Sequence, residues 1–401
     1  MDTDVIIVGG GLTGPVTALA LADAGLRSLV LDARPRATFD ATGFDGRSYA
    51  MALGSVRLMR NLGLWDALAA TAQPMTGIRA SDGRAGEGAS PLHLSFDASE
   101  IGEAFMGQMV EDRYLRPMLL SACDASDLIE MRFDTAVTDQ RATSAGVEVE
   151  AGETFTARLL LGADGRGSGV ATRAGIGRTG KDYDQTALVC AVEHEFPHAG
   201  IAHQFFMPSG PLAILPLRGD RSSIVWTETG AAAADLNALP DDAYLDVLRP
   251  RFGDFLGDIQ LVGARHSYPL SLSLATSFVA DRVGLVGDAA HGIHPIAGQG
   301  LNLGIKDVAA LADVMGDARR RGEDIGAADV LARYQRWRRF DTNVMGVATD
   351  AVNRLFSNDN PILRLGRDLG MGAISAMPVL RRRFIAEAAG ISGDLPRLMQ
   401  D

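Results

Sequence analysis

The sequence predicts an α/β fold: a discontinuous Rossmann-like domain, a mixed β-sheet domain interleaved with it, and a helical C-terminal region. Three observations carry this reading. The chain opens on a strand, a glycine turn, a helix and a second strand. Two more apolar strands, far downstream, also end in glycine-acid turns. The stretches between them alternate at the period of two that marks strands.

The opening passage, "DVIIVGGGLTGPVTALALADAGLRSLVLDARP", is the most specific. Val5 to Val8 form a β-branched run suited to a buried parallel strand, and Gly9, Gly11 and Gly14 then supply G-x-G-x-x-G. Each glycine has its own task. Gly9 permits the tight turn, Gly11 lets a pyrophosphate approach the backbone, and Gly14 lets the helix pack on the strand. The helix N-terminus then faces the anion. A second apolar run, Ser28 to Leu31, ends at Asp32, 18 residues beyond Gly14, where a carboxylate can take a ribose hydroxyl.

The second turn lies in "FTARLLLGADGRGSGVATRAGI", with Asp164 and Gly165 at the strand's mouth and Ser168 opening the next segment. The third lies in "GLVGDAAHGIHPIAGQGLNLGIKD", where Gly284 to Gly287 read as a strand, Asp288 sits at its carboxyl end, and a helical pattern starts beyond Gly300. Three strand ends carrying glycine and an acid point to one ligand touched from three crossovers. By contrast "GIGRTG", with Gly175, Gly177 and Gly180, precedes the strand-forming "DYDQTALVCAVEHEF". It reads as a loop, and no separate nicotinamide-binding domain is expected.

Composition narrows the function classes. The 401 residues are 47% hydrophobic with 46 Gly and 16 Pro, which excludes disorder and allows two domains. A net charge of -12 argues against nucleic acid as a partner. Cys123 and Cys190 are isolated, which suits a reducing compartment. With no signal or transit segment read at Met1 and no apolar run of ~18 residues, the expectation is a cytoplasmic protein without a span. Asp288, His291 and His294 share a metal-like spacing, but Gly292 and Pro295 break the helix that would align them, so no metal is expected. Nor does any serine stand in a G-x-S-x-G elbow.

"GGGLTG", "GADGRGS" and "GDAAHGIHPIAGQGLNLGIKD" together resemble the flavoprotein monooxygenases of the p-hydroxybenzoate hydroxylase fold. The "HPIAGQG" loop is similar to that of the ubiquinone-biosynthesis hydroxylases of the UbiH, UbiF and VisC group. "DGRSYAMALGSVRLMRNLGLW", "YQRWRRFD" and "LFSNDNPILRLGRDLG" extend the likeness over essentially the whole chain. The resemblance implies FAD, a nicotinamide or other reductant, dioxygen captured as a flavin C4a-hydroperoxide, and a prenylated phenolic substrate. It places Gly9, Gly11 and Gly14 at the FAD pyrophosphate, Asp32 at the adenosine ribose, Arg47 close to the cofactor, Gln108 at the ribityl chain and Val137 near adenine. Asp164 belongs to the middle motif, where Ala171 and Arg173 depart from the family pattern. Asp288 is assigned to the ribityl chain, and the Pro295 to Gly300 loop, with Gly298, Gln299, Gly300, Leu301 and Asn302, lies beside the isoalloxazine. The helix N-terminus after Gln299 and Gly300 is suited to negative charge on reduced flavin.

His294 and Pro295 are the candidates for the chemistry, with a loop-supporting His294 as the alternative. His194, His198, His203 and His266 read as surface or packing residues. The expected FAD domain covers residues 1–72, 100–180 and 272–345, the substrate domain 73–99 and 181–271, and the helical tail 346–401. Arg364, Arg367 and the cluster Arg381 to Arg383 give that tail a basic side, suited to a peripheral contact at the inner face of a membrane or with a quinone-biosynthesis complex. Packing on the FAD domain is its other reading. Competing functions are a hydroxylase of small soluble phenols, a flavin reductase of the same fold, and a non-catalytic flavin-binding accessory subunit.

Overall fold

The computed structural model describes residues 1–86, 88–89, 93–294, 298–356 and 377–401. Its first sheet runs, in spatial order, Val279–Ala280, Val283–Leu285, Leu159–Gly162, Val5–Val8, Ser28–Leu31 and Ile129–Arg132. All neighbours are parallel except the first pair. The central strands are continuous apolar runs because helices cover both faces, leaving no polar side to alternate with. Parallel pairing brings Val8, Leu31, Gly162 and Leu285 to the same edge. The three glycine-acid turns therefore leave from one side of the sheet.

The larger sheet has nine strands and is mixed. Two 17-residue strands, Arg178–His194 and Ile259–Ala275, form its backbone, and Arg221–Thr229, Gly210–Leu217, Ile201–Met207 and Gly77–Arg84 continue it in order. Leu188, Ile214, Ile224 and Trp226 on one face pack under the helices Gly230–Ala238 and Asp241–Phe252. The opposite face turns to a small antiparallel sheet, Ser48–Ala52, Gly107–Glu111 and Gln73–Met75, whose Met75 and Met109 pack with Ala191, Ala202 and Leu217.

Two local expectations are corrected. The third-motif strand ends at Leu285, and Gly287–Ala289 form a 3-10 turn, because Gly287 adopts φ +60. "GIGRTG" is only partly a loop: Gly180 lies inside the strand Arg178–His194. A Cβ there would sit 1.9 Å from the Leu272 carbonyl oxygen, so glycine serves close strand approach.

The C-terminal region is helical over Ala328–Phe356 and Pro378–Ala388. Its end packs back on the first domain: Asn61 donates to the carbonyls of Leu398 and Gln400, and a Cβ on Gly54 would meet the Gly390 oxygen at 2.3 Å. Arg364, Arg367 and most of "LFSNDNPILRLGRDLG" lie outside the described residues.

A buried ionic cluster joins these layers. Asp307, on the helix Gln299–Arg320, accepts from Arg338 Nε at 2.8 Å, pairs with His291 Nε2 at 2.5 Å, and accepts the Gly287 N–H at 3.1 Å. Asp307, His291 and Arg338 are all fully buried. Burial works to raise the Asp307 pKa, but His291 and Arg338 outweigh it and hold the carboxyl below its ordinary value. Removing the carboxylate leaves the buried Arg338 with Asp341 and takes away the His291 partner, so Asp307→Ala should cost about 3–5 kcal/mol, read by denaturant unfolding.

Candidate cofactor and active site

The turns at the sheet edge interlock through missing side chains. Gly9 adopts φ +115, and a Cβ on it would lie 2.4 Å from the Ala163 oxygen. On Gly14 a Cβ would lie 1.8 Å from the Gly9 oxygen, and on Gly287 it would lie 3.0 Å from Thr13 Oγ1. A Cβ on Gly304 would be 3.1 Å from the Gly287 Cα, so both long helices meet at this point. Gly11 differs: nothing lies within 4 Å of where its Cβ would be. Neither helix, Thr13–Asp23 or Gln299–Arg320, has a side-chain cap or an acid in its first turn. Their N-terminal N–H groups and positive dipole ends are thus available to an anion.

Asp32 is buried at the end of Ser28–Leu31. It accepts the Gly10 N–H at 2.6 Å, the Arg34 N–H at 2.8 Å and two Arg34 guanidinium bonds at 3.1 and 3.2 Å. Burial would raise its pKa, but the Arg34 and Gly10 donors prevail and lower it. Four donors fill the carboxylate, so a ribose hydroxyl reaches it by displacing an N–H of the half-exposed Arg34 side chain. Arg47 pairs with Asp45 at 2.7 Å and Asp112 at 3.2 Å. Gln108 is buried, and its Oε1 has no partner among the described residues. Val137 packs half-buried against the first-domain core.

Asp164 is turned inward. It accepts from Ser168 Oγ at 2.5 Å and Val170 N at 3.1 Å, while Ser168 caps the short helix Gly169–Arg173. Ala171 is buried inside that helix, and Arg173 donates to Gln140 at 3.2 Å. Asp288 is 45% exposed and meets Arg166 Nε at 3.3 Å. Arg178 clamps the same turn from beneath, donating to the carbonyls of Ala289 at 2.5 Å and Asp288 at 3.1 Å and to Ser273. Burial lowers its pKa while the Asp288 charge works the other way. Sequence reading missed Arg178. Its only signal was a cation at the end of an apparently ligand-free glycine loop.

In the third motif, Gly298 adopts φ +65 and starts the helix, and no atom lies within 4 Å of a Cβ on Gly300. Gln299 is half-buried and donates to the Ala388 carbonyl at 3.4 Å. Leu301 packs on the core. Asn302 is fully engaged: it donates to the Ala50 and Gly298 carbonyls at 2.8 and 3.0 Å and accepts from Ala52 N and Ser55 Oγ at 2.8 Å each. His294 is fully buried, edge-on to Tyr183 at 5.1 Å, and neither ring nitrogen has a partner among the described residues. Burial, reinforced by Arg166 and Lys181 and opposed by Asp350, takes its pKa down to about 4. Pro295 lies outside the described residues. Of the other histidines, His194 bonds Phe196 O and Ser222, His198 bonds Leu217 O, and His266 bonds Asp45 O, while His203 packs against Phe255.

Two uncapped helix ends, a glycine open to close approach, a fixed carboxylate and an orphaned amide oxygen fit the phosphates, ribose and polyol of FAD. Fold and site together suit a flavin-binding protein. The chain belongs to the family described as FAD binding domain, whose model matches residues 2–340. It is 44% identical to the ubiquinone hydroxylase UbiL of Rhodospirillum rubrum, covering 99% of this chain and 92% of that one. It is 34% identical to the 3-demethoxyubiquinol 3-hydroxylase of Escherichia coli, covering 97% and 99%. Among solved structures, p-nitrophenol 4-monooxygenase PnpA from Pseudomonas putida shares the fold at TM-score 0.80 with 19% identity, over 98% of each chain.

The glycines separate packing from binding. Gly14→Ala should prevent folding to a soluble protein. Gly11→Val should keep the wild-type melting temperature and weaken FAD binding at least ~10-fold, read by fluorescence titration of the apoprotein. His294 sets a pH window. Its folded pKa of about 4 lies below the unfolded value of about 6.5, so below pH 6.5 the unfolded chain takes up a proton the folded chain refuses. Stability from this group is complete above pH 6.5 and falls by about 1.4 kcal/mol per unit toward pH 4. His294→Phe should remove one proton from that slope, measured by urea unfolding at several pH values.

Proposed function

We propose that the chain hydroxylates the aromatic ring of a polyprenylated phenol in ubiquinone biosynthesis, taking electrons from NAD(P)H or another reductant. The observation that carries this reading is the near full-length likeness to ubiquinone hydroxylases, joined to a site whose turns suit FAD. Bound FAD supplies the dioxygen-activating chemistry, and the chain binds, orients and excludes water. In this reading Gly9, Gly11 and Gly14 with the first helix take the pyrophosphate. Asp32 holds the adenosine ribose, and Val137 lies by adenine. Gln108 Oε1 accepts from the ribityl chain, and Asp288 takes a second ribityl hydroxyl while Arg166 and Arg178 fix its position. Arg47 closes the cofactor edge. The Gln299 helix end, exposed by Gly298 and Gly300 and held by Asn302 and Leu301, meets the isoalloxazine with positive potential. Asp164 fixes the middle turn through its cap. His294 supports the turn as a neutral imidazole at neutral pH.

A prenylated substrate implies a lipid source. No helix among the described residues is long and apolar enough to cross a membrane. Peripheral attachment at its inner face falls in this reading to the tail, where Met377 and Val379 are more than half exposed and Arg382 and Arg383 face solvent.

The deciding experiment supplies the FAD-loaded protein with reductant, a short-chain prenylated phenol and oxygen-18 gas. One labelled oxygen on the ring is expected by mass spectrometry. FAD binding without oxygen consumption would favour the accessory-subunit reading, and turnover only on unprenylated phenols would overturn the ubiquinone one.

A further inference from the structure

One row of the large sheet stays half-exposed on the face turned to the FAD domain. Strand registers align Gln204 with Ala213, Ala213 with Val225, and Val225 with Val189. His266 sits beside Val189. Across strands about 4.8 Å apart, Gln204 to Val189 spans about 14 Å. The four are half-buried, whereas the rows on either side are largely covered. Ala202, Ser223 and Ala191 are buried in one, and Phe206, Thr227 and Ala187 in the other. The first of these lies against Met75 and Met109 of the small antiparallel sheet. The row is thus a narrow open trough in a covered face, and His266 ties its end to the Arg47 loop through the Asp45 carbonyl at 3.0 Å.

The trough has one chemical feature. Ala213, Val225 and Val189 form a small aliphatic floor, which suits a flat ring and an apolar tail. Gln204 is the carboxamide at its end, and the Gln204 Nε2 donates to nothing among the described residues. A buried donor left without a partner is costly, and an oxygen on a bound ring removes that cost.

We propose that Gln204 is a specificity-determining residue that donates a hydrogen bond to a ring oxygen of a phenolic substrate seated on Ala213, Val225 and Val189. This rests on the hydroxylase reading above and adds the recognition of the ring to it. A site built to hydrogen-bond an oxygen rejects the analogue lacking it far more strongly than an apolar pocket does.

The test uses FAD-loaded protein and two probes, a phenol bearing one short prenyl chain and the same arene without the hydroxyl. Binding is tracked by the change in flavin absorbance. Wild type should prefer the phenol by ~10-fold or more, and Gln204→Leu should bring the two within about threefold of each other. Val225→Phe should weaken both probes alike by filling the floor. An unchanged preference in Gln204→Leu, or unchanged affinity in Val225→Phe, with FAD content intact, overturns the proposal alone. Wild-type protein that holds FAD but binds neither probe overturns the substrate reading and this proposal with it.

Discussion

The constraint on which the rest depends is the buried carboxylate of Asp307. A charge taken out of water must find partners, and this one finds three on different elements: a guanidinium from the helix Ala328–Phe356, an imidazole from the strand end after the GDAAH turn, and the backbone N–H of Gly287. Asp307 cannot shift without breaking all three contacts. The cluster therefore ties the helix Gln299–Arg320 to the Val286–Gly287 peptide, one residue before Asp288. The electrostatics of the site are in this sense built one layer below it.

Much of the first domain was legible because glycine leaves an unambiguous trace. Val5–Val8, the turn, the helix and Ser28–Leu31 appear where pattern and spacing put them. What escaped was long-range. Two histidines at metal-like spacing proved to serve different neighbours: the partner of His291 comes from 16 residues later and that of His294 is an aromatic ring. Gly180 reads as loop in the sequence because a glycine demanded by a neighbouring strand looks, in one dimension, like a glycine demanded by a turn. Gln204 carries no motif, and Arg178 stands inside a glycine repeat that reads as a loop. Their positions are set by strand pairing, which sequence periodicity does not reveal.

Asn302 and Asp164 show why a residue can belong to a cofactor motif and still spend its hydrogen bonds on the protein. Asn302 ties Gly298 to Ala50, Ala52 and Ser55, so the strand bearing Ala50 and the helix end move as one body. Asp164 does the same for the middle turn. Backbone groups, freed of caps and crowding side chains, are left to face the ligand, while acids and amides hold them still.

The two 17-residue strands have a mechanical consequence. Arg178, which grips the carbonyls of Asp288 and Ala289, is the first residue of the strand that carries Val189 in the trough floor. At most about 36 Å of strand separates the two positions, and the pairing between them shifts register at Asp182–Gln185. One strand therefore carries both the anchor of the cofactor turn and the floor of the trough. The bulge divides the strand into an anchoring length paired with Ile259–Ala275 and a floor length paired with Arg221–Thr229 as well.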